Sequence, residues 1–376
     1  GKKMKIGILT LQGAKNCGAV LQAYALTTVL KNKGHSVEIV NFISDGEYER
    51  TLKNSGKKGK AYWARKIYYM FFYKSIKKRN ELFEAFQREY LNLYPENKRI
   101  REKELEEDTK RYQCLVCGSD QIWSQDPKLY DKSDAYFVNF PFNGKKVSYA
   151  ASFGDSIEYA KKHIKKVIGY VKCFDHVSVR ESEAADFLEK NAISATVCVD
   201  PTLLLNANEW KKLAIEPKSK EEYILYFSVN SRKYSIDVAK HLAEKTGLKV
   251  IELNPHPKSW NSGFEKLYGS GPREFLGYIL NAKYVVSNSF HGTVFSILFN
   301  KPFIVAFDQK NGQIICENRK ASLLRCLGLD SAIVTAHTEL DINAINNINW
   351  DIINDRILKL RKESMTYLDR AVGEKQ

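Results

Sequence analysis

The sequence predicts an α/β protein of two consecutive doubly wound domains that face each other across a cleft, with a basic helical excursion in the first. Three observations carry that expectation. Short apolar runs alternate with helical stretches in two successive series, from Lys5 and again from Tyr223. A chain of 376 residues exceeds the size at which single cores stop growing. Most apolar runs end in small or polar residues, as strands do where a parallel sheet presents its loops to a ligand.

Taken in order, Lys5 to Leu11 reads as a strand, Gly18 to Lys33 as a helix through Val20, Leu21, Tyr24, Leu26 and Leu30, and Ser36 to Phe42 as the returning strand. Gly34 stops the helix. Cys114 to Cys117 and Val147 to Ala151 follow as strands, and His176 to Val179 and Thr196 to Val199 continue the pattern. The second series has strands at Tyr223 to Val229 and Lys249 to Leu253, and helices at Lys233 to Lys245 and Arg273 to Asn281. It continues with a strand at Tyr284 to Val286, a helix-like run from Val294 to Phe299, a strand from Phe303 and a helix from Ser322 to Cys326. The expected boundaries are 1–203 for the first domain, with an insertion at about 45–110, and 204–348 for the second. Residues 349–376 form a terminal helix that crosses back to the first domain, and Asp200 to Asn208 is the hinge.

Charge is uneven. The formal net charge is +15, and Arg50 to Arg79 holds eleven basic residues and no acidic one, interleaved with Tyr62, Trp63, Tyr68, Tyr69, Met70, Phe71, Phe72 and Tyr73. Such a segment suits an anionic membrane surface. Nucleic acid competes, since the same charges neutralise phosphates and the same rings stack on bases, but the membrane is the expected partner. The structural reading is an excursion whose rings pack on their own domain.

Seven scattered cysteines fit free thiols in a reducing compartment, so the chain is expected in the cytoplasm, resting on the inner membrane face if residues 50–79 dock there. Cys114 and Cys117 have redox-motif spacing, but Leu115 and Val116 between them read as a buried strand. Neither a signal peptide nor an apolar run of ~18 residues appears. Nothing asks for a metal or a cofactor, because the phosphate-loop, dinucleotide and zincin motifs are missing.

The candidate site centres on Ser287-Asn288-Ser289-Phe290-His291-Gly292-Thr293, between a strand and a helix. A helix start offers free amides and a positive dipole end, which favour an anion. His291 is the one histidine here flanked by hydroxyls and an amide. Arg180 follows a strand and would bring a guanidinium to the rim, with a salt bridge to Glu181 or Glu183 as its structural role. Asp120 could accept a proton or cap the next helix. Asn16 and Gly18 could donate to an anion or sugar, or make the turn, and Gln121 stands beside Asp120.

These motifs, in this order, resemble the polysaccharide pyruvyl transferase family. The likeness runs from about Lys5 to Phe307. It rests on Asn16-Cys17-Gly18-Ala19-Val20-Leu21-Gln22, Gly118-Ser119-Asp120-Gln121-Ile122-Trp123, Tyr149-Ala150-Ala151-Ser152-Phe153-Gly154, Ser178-Val179-Arg180-Glu181, Val199-Asp200-Pro201-Thr202 and the Ser287 to Pro302 block. The resemblance implies a GT-B-like fold of two Rossmann-like domains. It also implies transfer of a pyruvyl group from phosphoenolpyruvate, a co-substrate, to hydroxyls of a glycan or lipid-linked sugar acceptor, forming a ketal. By that resemblance His291 and Asp120 are catalytic, with Arg180, Asn288, Ser289, Gly292 and Thr293 on the donor and Asn16, Gly18 and Gln121 towards the acceptor. Many members carry Arg-Leu-His-Gly where this chain has Ser289-Phe290-His291-Gly292, so a cation is missing, and Lys15, Arg232 and Arg319 are candidates to replace it. The alternatives are a GT-B-like glycosyltransferase using a nucleotide sugar, and a non-catalytic glycan- or nucleic-acid-binding member.

Overall fold

The computed structural model describes residues 3–53, 60–129, 132–229, 232–256, 259–310, 313–315, 318–335 and 339–373, with side chains at 50–53, 60–66, 68, 69, 309, 310, 313–315 and 318 outside the description. Most of the basic excursion's aromatic rings, and Cys316, therefore lie outside the described side chains.

Two compact units form. The first comprises Gly1–Phe72, Glu84–Leu204 and Leu358–Gln376, and the second comprises Tyr73–Phe83 and Leu205–Ile357. One segment groups elsewhere than the sequence predicts, and the terminal helix reaches the first unit as expected but only with its later turns. Tyr73–Phe83, part of the excursion assigned to the first domain, groups with the second unit, where Gly269 and Gly271 press on Ser75 and Leu82. The terminal helix Trp350–Val372 divides at Leu358. Its early turns pack in the second unit through Trp350 on Phe303. Its later turns pack in the first, where the Tyr367 hydroxyl donates to the Ser148 carbonyl at 2.8 Å and Ser364 Oγ accepts from the Val199 N–H at 3.0 Å.

The first unit's strands are β1 (Lys5–Leu9), β2 (Ser36–Val40), β3 (Leu93–Tyr94), β4 (Cys114–Cys117), β5 (Lys145–Ser148), β6 (Ser178–Val179) and β7 (Thr196–Val197). They pair in parallel in the order β3-β2-β1-β4-β5, and bridges Val147 to His176 and Ala151 to Val179 carry the ladder on to the β6-β7 pair. Strands covered on both faces read as unbroken apolar runs, and all four residues of β4 are buried. Beyond it, Trp123 is fully buried, stacked on Phe137 at 5.2 Å and edge-on to Phe174 at 5.4 Å.

The second unit's strands are β8 (Tyr223–Phe227), β9 (Lys249–Leu253), β10 (Glu265–Leu267), β11 (Tyr284–Ser287), β12 (Phe303–Ala306) and, beyond a hairpin of β13 (Asp308–Lys310) and β14 (Gln313–Ile315), β15 (Ile333–Val334). The sheet is parallel, in the order β10-β9-β8-β11-β12-β15. Val285 pairs with Leu225 on one side and Phe303 on the other, so β11 is central and its four residues are buried.

Both sheets share one topology. In each, the first strand of the series neighbours the second and the fourth, which is the Rossmann strand order. The crossover direction reverses between β1 and β4, and between β8 and β11. Loops at the carboxyl ends of those strands line the crevice that such sheets offer a ligand. Among the described residues, no helix is long and apolar enough to cross a membrane.

Candidate active site

In the second unit the switch point is the Ser287–Thr293 elbow. Its helix starts earlier than the sequence predicts, at Phe290 rather than Val294, so His291, Gly292 and Thr293 belong to the first turn. The cause is the cap. Ser289 is extended at φ −86° and ψ 138°, and its hydroxyl accepts from the Gly292 N–H at 3.3 Å. The turn before it is tied by Ser287, whose hydroxyl donates to the Phe227 carbonyl at 2.6 Å and accepts from the Ser289 N–H at 3.0 Å.

Gly292 permits this compression. A Cβ there would lie 2.5 Å from Ser287 Oγ and 3.2 Å from a Phe227 ring carbon. Thr293 donates to the Ser289 carbonyl at 2.9 Å, and the Asn288 side-chain oxygen accepts from the Val229 N–H at 3.0 Å, fastening the β11 elbow to the loop after β8. His291 is 6 % exposed, with its ring edge-on to Phe290 at 5.1 Å.

One residue here was not singled out in the sequence. Lys320, on the Asn318–Leu327 helix, is 1 % exposed; its ammonium donates to the Asn288 carbonyl and stands 5.2 Å from the Phe307 ring centroid. No spacing within Asn318-Arg319-Lys320-Ala321 marks it. Its role depends on packing against residues some thirty positions away. Of the cations expected to replace the missing arginine, Arg319 lies 5.9 Å over the Phe290 ring, Arg232 is exposed at the start of the Lys233–Thr246 helix, and Lys15 pairs with Glu84 at 2.9 Å in the first unit.

In the first unit the switch point is built differently. Gly118 turns the chain at φ +140°, where a Cβ would sit 1.9 Å from the Tyr149 carbonyl oxygen. Ser119 is then held by its N–H on Gln22 at 3.0 Å and its hydroxyl on the Ala150 carbonyl at 2.6 Å. Asp120 follows at φ 68°, with one carboxylate oxygen accepting from the Gln121 N–H at 2.9 Å and standing 3.6 Å from Arg180 Nη2.

Arg180 is ringed by acids. Its Nη1 donates to Asp200 at 2.6 Å and its Nε to Glu181 at 3.2 Å, and its side chain is 3 % exposed. Burial alone would lower its pKa, but Glu181, Asp200 and Asp120 outweigh that and hold it above the ordinary arginine value. The acids are anchored in turn, since Ser152 donates to Glu181 at 2.7 Å and the Thr202 N–H and hydroxyl donate to Asp200 at 3.0 and 2.7 Å. The structural role foreseen for Arg180, a bridge to Glu181, is therefore present, with Asp200 as its shorter contact.

The residues that the family resemblance turns towards the acceptor are placed as follows. Asn16 caps the Cys17–Asn32 helix through its Oδ1 on the Ala19 N–H at 3.2 Å, Gly18 is buried in that helix's first turn, and Gln121 is half-buried beside Asp120. A cavity of about 780 Å³ also opens in the first unit, its walls including Gln12, Lys15, Asn41, Gln87 and Arg99 but none of Asn16, Gly18, Asp120 and Gln121. That is an amide- and charge-rich lining of the kind that hydrogen-bonds a polyhydroxylated molecule.

Cys114 and Cys117 form a buried strand, and burial pushes the Cys114 thiol up to about 12 and the Cys117 thiol higher still. Among the described residues no cluster of His, Cys, Asp and Glu has the arrangement of a metal site.

A family model described as polysaccharide pyruvyl transferase matches residues 16–311, and the chain belongs to that family. Compared with curated proteins, the sequence finds no match. Among solved structures the chain is similar to the S. aureus MnaA–UDP complex, at TM-score 0.49 and 11 % identity, covering 96 % of this chain and 91 % of that one. It is similar also to the UDP-GlcNAc 2-epimerase of Methanocaldococcus jannaschii, at TM-score 0.45 and 10 % identity, over 96 % and 92 % of the two chains. A third is the E. coli heptosyltransferase WaaC with ADP, at TM-score 0.40 and 11 % identity, over 95 % and 100 %.

Proposed function

We propose that the chain transfers a pyruvyl group from phosphoenolpyruvate to hydroxyls of a sugar in a cell-surface glycan precursor, with the second unit's elbow as donor site. One observation carries the reading: a histidine in the first turn of a hydroxyl-capped helix, at a sheet switch point, with a buried lysine from another helix bonded to the same loop. Phosphoenolpyruvate carries phosphate and carboxylate charge, and amides, hydroxyls, an imidazole and an ammonium are the groups that bind such an anion.

The chemistry needs C3 of the donor protonated and C2 attacked by an acceptor oxygen, whose proton passes to a base. A second hydroxyl then bonds to C2 as the C2–O bond to phosphate breaks, its proton leaving with the inorganic phosphate, and the ketal closes. His291 is assigned as acid or phosphate ligand and Asp120 as base for the acceptor hydroxyl. Arg180 is assigned to holding Asp120, Glu181 and Asp200 in place rather than to clamping the donor, because its guanidinium already meets all three.

Thermal shift and phosphate release test this together. Phosphoenolpyruvate should raise the melting temperature, and phosphate release should require a sugar acceptor. His291→Ala should remove the release while leaving the fold intact by circular dichroism. Stabilisation by nucleoside diphosphates with no response to phosphoenolpyruvate would make the chain a nucleotide-sugar enzyme instead.

A further inference from the structure

We propose that the exposed face of the Lys60–Tyr90 helix docks the protein on an anionic lipid membrane, independently of which donor the enzyme uses. Ile67, Met70 and Phe71 are 50, 69 and 72 % exposed. On an α-helix, positions 67, 70, 71, 74 and 78 recur at the spacing that places them on one stripe. The stripe is therefore apolar in one stretch and continues as lysine, since Lys74, Lys77 and Lys78 are all exposed. Tyr73, 59 % exposed, flanks it.

The same helix buries its apolar residues further on, with Phe83 and Phe86 at 0 and 2 % exposure. Among the described side chains of this helix, exposure of large apolar groups is thus confined to the part that carries the lysines. Contiguous apolar surface rimmed by charge marks an interaction site. A bilayer interface fits both halves, because the acyl boundary takes Ile67, Met70 and Phe71 while the lysines reach anionic headgroups and lay their methylene stems along the surface. A nucleic acid would use the lysines but gains little from Ile67 and Met70, which have no ring face for a base to stack on. That asymmetry selects the membrane.

The full chain is sedimented with phosphatidylcholine vesicles, with and without phosphatidylserine, at low and high salt. Binding should require phosphatidylserine and weaken with salt. Changing Lys74, Lys77 and Lys78 together to Glu should weaken binding by at least on the order of 100-fold, given the contribution of each surface lysine. Met70→Glu with Phe71→Glu should also abolish it, at unchanged melting temperature and unchanged response to phosphoenolpyruvate. Neutralising Lys211, Lys212 and Lys220 should leave binding as it was. The proposal is overturned by no vesicle binding, by equal binding to neutral and anionic vesicles, or by RNA binding that needs the same lysines without any vesicle binding. It is overturned also by a dimer that Met70→Glu abolishes in a protein that ignores vesicles.

Discussion

The two units share a strand order yet arm their switch points with opposite chemistry. After β4, Asp120 joins Glu181 and Asp200 around the single guanidinium of Arg180. After β11, the groups fastened at the elbow are backbone N–H donors, hydroxyls, His291 and the ammonium of Lys320. A shared topology therefore decides where a ligand can bind, whereas the side chains at the strand ends decide its charge. The three carboxylates at the first unit's switch point disfavour an anion there, whereas the hydroxyls and the ammonium at the second unit's elbow favour one.

The largest expected effect breaks the comparison at Arg180. Arg180→Ala would leave three carboxylates facing one another in a nearly closed site, and removing one partner of a buried pair costs about 3–5 kcal/mol. Urea unfolding should show that loss. Arg180→Lys should restore little of it, since an ammonium cannot reproduce the fork that meets Asp200 and Glu181. A stable Arg180→Ala protein that merely lost affinity for phosphoenolpyruvate would return the arginine to the donor site.

Lys320→Met sharpens the other side. It keeps much of the buried stem and removes the donor to the Asn288 carbonyl, at a cost of about 1–3 kcal/mol. Its stronger signature is the loss of the melting-temperature rise produced by phosphoenolpyruvate. An unchanged rise would show that another cation replaces the family arginine whose position Ser289 occupies.

The smallest effect is a slope with pH. His35 and His176, both in the first unit, have lowered pKa values, first because burial disfavours their charged forms, then because Lys33 lies near the one and Lys145 and Arg370 near the other. The unfolded chain therefore takes up protons first as pH falls through about 6.5. Their contribution to stability is present above that value and lost as pH falls through the folded values. Unfolding midpoints measured between about pH 7.5 and pH 5 should decline, and the decline should be shallower in the double variant His35→Gln, His176→Gln. A slope identical in the variant would remove these histidines from the account.

Much of the fold is legible because parallel strands covered on both faces announce themselves as unbroken apolar runs, as β4, β11 and β12 do. The strands β3, β10 and β15 are two or three residues long, too short for any period to register. The elbow was legible as a place but not in its boundaries. Phe290, His291, Gly292 and Thr293 are poor helix formers, and only the Ser289 cap and the packing of Gly292 on Ser287 commit them to a helix. The Arg180 cluster joins residues sixty positions apart in the chain, from Asp120 to Arg180, and Lys320 reaches Asn288 across thirty-two. Such pairings are set by the sheet, and no local pattern announces them.

The buried thiols have a further use. Cys17, Cys114, Cys117 and Cys198 are buried, and all four belong to the first unit, whereas Cys173 and Cys326 are exposed. Burial raises the Cys114, Cys117 and Cys198 thiols and so suppresses the thiolate that an alkylating reagent attacks. Among the described cysteines, native protein should therefore take up reagent at once at Cys173 and Cys326, then slowly as the β1–β7 sheet opens. Mass spectrometry counting those later additions becomes a clock for the opening of the first unit, run on its own sulfur atoms.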